Sequence, residues 1–252
     1  MKPATSLTSV KASQGGRFYS FASIALLVLT LIGFRMFYLE GKAFPGRPLT
    51  PPIHTLLMVH GVLMTIWMLL AVVQPLLVAR GRKRLHMSLG RVGAVLAAVL
   101  VFVGLRIGIE ATRVNPPEMQ LFGLTSKQFM AVPVLGILTF GGFVLAGVIY
   151  RRRPEIHRPM MLMASLSVVS AALGRIPVLN GWYAGTVLET LFSANLITVL
   201  LGVLMLAWKC IASKAFDRWF ALAVAALTAI SIVIAVGAKT AAWAAIASFL
   251  LR

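Results

Sequence analysis

The amino-acid sequence predicts an all-α fold: a polytopic membrane helical bundle of about seven transmembrane helices plus a short C-terminal interfacial helix. Three observations carry this. Of 252 residues, 60% are hydrophobic and 12% are charged, whereas soluble domains carry about 25% charged residues. So few charges cannot coat a soluble surface, and a mean hydropathy of +0.93 equally excludes disorder. Second, seven segments approach the roughly 20 apolar residues that cross a bilayer. Third, Lys and Arg collect in alternate connections, as they do in multi-pass proteins.

The elements follow in chain order. Residues 1–17 form a cytoplasmic N-terminal segment with Lys2, Lys11 and Arg17 and no acid. The apolar run after it, Phe18 to Phe34, is long and has no small-residue cleavage site, so it reads as an uncleaved first span. The transmembrane domain covers 18–237, with spans at 18–39, 53–79, 88–110, 128–150, 159–180, 187–208 and 218–237. Gly237 and Lys239 break the last apolar stretch, which leaves 238–252, with Trp243, as an interfacial tail. Pro45 to Pro52 and Asn115-Pro116-Pro117 are turn formers in two of the loops.

The net charge of +18 would suggest nucleic acid in a soluble chain. Here it sets topology. The N-terminal segment and the 2–3, 4–5 and 6–7 connections hold 14 of the 24 Lys and Arg, and the opposite side holds 6. The expected placement is a bacterial inner membrane, with the N-terminus cytoplasmic and the C-terminus outside. The basic turns would meet the bilayer's anionic headgroups, and no nucleic acid is expected. A single Cys210 excludes an internal disulfide. Phosphate loops, dinucleotide fingerprints and hydrolase motifs are absent from the sequence.

The four histidines lie in or beside spans. His86 and His157 each follow a basic turn, on different helices at one depth, which is the topology of a bis-imidazole b-type haem site. Below His86 the same face carries Gly90, Gly93, Ala97 and Gly104; below His157 it carries Met161, Ala164, Val168, Ala171 and Arg175. Such slim faces give a flat macrocycle clearance, and they equally let membrane helices pack closely. His60 shares a stripe with Met64, Trp67 and Gln74, whereas His54 sits about 120° away around the helix. His60 is the deeper of the two and, as a polar group inside a span, is a candidate site residue. Arg35, Arg106 with Glu110, Arg175 and Glu189 gather near the outer span ends. They read either as snorkelling ends or, with His60, as a pocket in which Arg106, Arg175 and Glu189 bind a quinone or small reductant.

The stretch His60-Gly-Val-Leu-Met64-x-x-Trp67, followed by Ala79-Arg80 and Leu85-His86, resembles the second and third helices of ascorbate-type transmembrane di-haem cytochromes b. Leu85-His86-x-x-Leu-Gly-Arg91 and His157-Arg-x-Met-Met resemble a bacterial family of predicted multi-pass membrane proteins of unknown function, over residues 54–180. The cytochrome resemblance implies His60, His86 and His157 as cofactor-binding positions, with His86 and His157 ligating the metal of haem b. That pattern needs a histidine on each of four consecutive helices, and span 4 has none. The resemblance therefore implies one inner haem. Electron transfer leads the functional readings. The alternatives are a non-redox assembly or scaffold subunit partnering a membrane complex, and a small-solute transporter.

Overall fold

In the hydrocarbon of a bilayer no water is available to the peptide groups, so an apolar stretch must satisfy its N–H and C=O groups internally and becomes a helix. The computed structural model describes residues 7–43, 47–48, 51, 53–116 and 118–252; for 7–16 and 47–48 only the backbone is described. Lys2, most of the Pro45 to Pro52 stretch and Pro117 lie outside the described residues.

The elements are almost all helical: α1 (Leu7–Gly33), α2 (Arg35–Glu40), α3 (His54–Ala79), α4 (Lys83–Val114), α5 (Ser126–Phe129) and α6 (Ala131–Ile149). They continue with α7 (Pro154–Leu173), α8 (Pro177–Asn180), α9 (Val187–Phe192), α10 (Leu196–Ser213), α11 (Arg218–Gly237) and α12 (Ala241–Leu250). Two short antiparallel hairpins, β1 (Lys42–Ala43) with β2 (Arg47–Pro48) and β3 (Gln120–Leu121) with β4 (Leu124–Thr125), trim the loops.

Six helical stretches are long and apolar enough to cross a membrane: 54–79, 83–114, 126–149, 154–173, 187–213 and 218–237. The chain is an all-α, multi-pass membrane protein. The first expected span is a shorter apolar helix, Arg17–Gly33, which ends where Phe34 turns the chain into α2. The third is longer than its apolar core, because the basic residues from Lys83 onward already wind into its first turn. The sixth is broken: α9 stops at Phe192, Ser193 takes a left-handed φ of 49°, and α10 restarts at Leu196.

The packing forms a closed ring. α1 lies along α3 and α7, α3 along α4, α4 along α6, and α6 along α7. α10 and α11 cover the outside of α7. Small residues set the closest approaches. A Cβ on Gly33 would strike the Ala172 backbone, and one on Gly104 would stand 2.7 Å from the Ile137 side chain. The core runs through the ring and includes Leu26, Trp67, Met68, Leu100, Phe140, Met163 and Leu166. α12 is held beneath the α5 loop by Trp243, whose Nε1 donates to the Lys127 carbonyl at 3.1 Å.

Candidate functional site

The ring order decides where polar side chains can meet. α4 and α7 are not neighbours along their length, because each packs on α6 and they face one another across the ring. His86 in the first turns of α4 and His157 in the first turn of α7 meet across that gap. Their ring centroids are 6.3 Å apart and their planes are at 88°. Two imidazoles that face each other across one metal, each with a metal–nitrogen bond of about 2.0 Å, have centroids about 6 Å apart, within the range of about 4.5–7 Å of any edge-to-face ring pair. The separation fits that geometry.

Each ring is held from behind. His157 Nδ1 stands 2.8 Å from the Gly147 carbonyl, at the end of α6. A carbonyl only accepts, so His157 donates to it from Nδ1, which leaves Nε2 as the ring nitrogen outside this bond. His86 is held by Gln74 of α3. With its amide turned to suit the backbone, Gln74 donates to the His86 carbonyl (3.2 Å), accepts from Gly90 N–H (3.1 Å), and donates to His86 Nδ1. In this orientation the His86 proton is on Nε2. Ligation through that atom would move the proton to Nδ1, and the Gln74 oxygen could accept it only by giving up its bonds to the His86 carbonyl and the Gly90 N–H. The neighbouring Arg158 lies within electrostatic reach of His86. Among the described residues no group of three or more His, Cys, Asp or Glu is placed to hold a bare metal ion.

The outer residues divide among separate sites. His60 lies on α3 with Nδ1 buried and without a partner among the described residues. Arg175, just past α7, places its guanidinium 4.5 Å over the Phe34 ring and donates to the Ala171 carbonyl. It lies within electrostatic reach of His60, so the ends of α1, α3 and α7 bring these two together. Arg106 instead pairs with Glu110 at 3.2 Å, and Arg113 takes the same carboxylate oxygen at 2.8 Å. Glu189 accepts from Gly185 N–H at 2.7 Å, closing the loop before α9. His54 is exposed at the start of α3.

Comparison with protein-family models, curated proteins and solved structures finds no match.

Two partners of the inner pair were not singled out as such from the sequence. Gln74 carries a signal, because a carboxamide deep in an apolar span needs a partner. The Gly147 carbonyl carries none, since a backbone group leaves no mark in a sequence. The polar segment behind the broken sixth span is also new. Asn180 Nδ2 donates to the Leu173 and Ile176 carbonyls, both at 2.8 Å. The Tyr183 hydroxyl is shared between Asn180 Oδ1 at 2.9 Å and the Ser193 carbonyl at 3.1 Å.

Proposed function

We propose that this membrane protein carries electrons in a bacterial inner membrane, with a b-type haem held between His86 and His157. The observation that carries the reading is the 6.3 Å separation of two imidazoles from helices on opposite sides of the ring. Two imidazoles supply two ligands. A four-coordinate ion would need four donors, whereas a haem would bring donors of its own, so that His86 and His157 would suffice to hold it. Haem, when bound, supplies a one-electron iron couple. The chain does the rest: Gly147 fixes the tautomer of His157, Gln74 orients His86, and basic residues such as Arg158 suit the propionates. The resemblance of the His60-to-His86 stretch to the di-haem cytochromes b points the same way. On the outer side, His60 and Arg175 would receive a quinone or small reductant. Arg106 and Glu189 are already committed to other partners.

Purified protein, supplemented with haem, is expected to show a Soret band and a sharp α band on reduction. His86→Ala and His157→Ala each remove the six-coordinate spectrum, while His60→Ala keeps it. Absence of both bands from the wild-type protein after supplementation overturns the reading.

One observation favours a second reading, a small-solute transporter. The span broken at Ser193 resembles the discontinuous helices that line transporter sites. Uptake into proteoliposomes that Arg175→Ala abolishes, in a protein without haem bands, would select it.

A further inference from the structure

His60, Met64, Trp67, Ala71 and Gln74 are spaced four, three, four and three residues apart, and so fall within one narrow arc of α3. The opposite arc, Val62, Ile66, Leu69 and Val73, is exposed on the outside of the bundle. The first arc therefore faces the interior. It holds the polar side chains His60, Trp67 and Gln74, each two turns from the next. At 1.5 Å per residue they cover about 21 Å of depth, most of a hydrocarbon layer of about 30 Å.

Gln74 differs from the other two. Gln74 is fully engaged by His86 and Gly90. Trp67 is only 4% exposed, and its ring packs edge-on against Phe140 of α6 at 4.8 Å. Among the described residues its Nε1 meets no acceptor, and neither does His60 Nδ1 find a partner. Several hydroxyls elsewhere in the spans have a local outlet, although Thr198 in α10 finds none among the described residues. Thr30, Thr65, Thr139, Thr228 and Ser231 donate to the carbonyl four residues back on their own helix. The Trp67 indole nitrogen stands too far from its own backbone to do so, and His60 Nδ1 makes no such bond. Each needs a partner from outside its helix, and water is small enough to be that partner at each point.

We infer that the inner face of α3 is a hydrated seam. Water bonded to His60 Nδ1 and Trp67 Nε1 leads from the outer mouth at His60 and Arg175 to Gln74 and the His86–His157 pair. The seam gives that pair access to outside water and protons. Its role as a proton supply to a redox centre rests on the function proposed above; the hydration itself does not.

The test uses the full chain, as purified and before haem is added, labelled with 15N at the indole nitrogens. A Trp67→Phe variant assigns the Trp67 resonance. Trp243, whose Nε1 donates to the Lys127 carbonyl, is the bonded reference in the same spectrum. The Trp67 indole proton is expected to exchange with water about tenfold faster than that of Trp243 despite its burial. His60→Leu, which closes the mouth, slows it about tenfold, and Gln74→Leu leaves it within about twofold. A Trp67 proton as protected as that of Trp243 in the wild-type chain overturns the seam, and needs no folded variant beyond the assignment. So does an exchange rate that His60→Leu leaves unchanged. A protein that binds no haem still answers this experiment, so the two proposals fail separately.

Discussion

Tyr183 has no exposed surface, yet its hydroxyl joins three parts of the chain: Asn180 after α7, its own loop, and the Ser193 carbonyl at the break between α9 and α10. Removing the hydroxyl leaves a buried carbonyl and a buried amide oxygen short of a donor, a loss of about 1–3 kcal/mol. Tyr183→Phe is expected to lower the midpoint of thermal unfolding in detergent accordingly. There is also a pH signature. Burial, with the Glu189 carboxylate adding to it, pushes the phenol up to about 12 from its ordinary 10. The folded state thus holds this proton more tightly than the unfolded one. The contribution is fully present below pH 10 and is lost as pH rises toward about 12. Wild-type protein should lose stability across that window more steeply than Tyr183→Phe; equal slopes would show that the phenol does not govern alkaline unfolding. Residues of this kind show how much of a site a sequence reveals. His86 and His157 are legible because each follows a basic turn at the same end of a span. Arg106 and Glu189 are legible as charges near span ends, but their partners, Glu110 with Arg113 and the Gly185 N–H, depend on local geometry that spacing only partly encodes.

Helices are held at distances set by their smallest residues. α1 and α7 touch where Gly33 lies on the Ala172 backbone, and a backbone cannot move aside as a side-chain tip can. Gly33→Ala should therefore push α1 off α7, at a cost of about 1–3 kcal/mol. Gly142→Ala, with open space around its Cβ, should leave the unfolding midpoint unchanged or raise it. If the two variants melt alike, the α1–α7 contact is not the tight joint described. Such joints are partly legible, since a glycine in an apolar span signals close approach, but the partner helix is not. The break in the sixth span was hidden for a different reason. Val187–Ser213 is apolar on average, and the average conceals Ser193-Ala194-Asn195, where buried polar groups replace a turn of helix. A non-glycine residue at φ 49° costs of order 1–3 kcal/mol and persists only where its surroundings enforce it. The Tyr183 hydrogen bond is one such enforcement.

At the scale of the whole molecule, composition identifies the solvent and charge placement implies the orientation, while the order of helices around the ring follows from tertiary contacts alone. That order converts two histidines 71 positions apart into neighbours. The positive-inside rule predicts the His86–His157 pair on the cytoplasmic side and the His60 and Arg175 end outside. The basic turns at Arg80 to Arg84 and Arg151 to Arg153 stay exposed, and translocating either would carry at least three cations across the membrane. The 14-to-6 asymmetry of Lys and Arg therefore predicts the α10–α11 turn inside and α12 outside. In a Cys210→Ser background, single cysteines at the exposed positions Ala215 and Ala245 report the two sides. A membrane-impermeant maleimide applied to intact spheroplasts should label Ala245→Cys at once and Ala215→Cys only after lysis. The reverse pattern would invert the molecule and place the His86–His157 pair outside, so that the proposed electron path would run the other way across the bilayer.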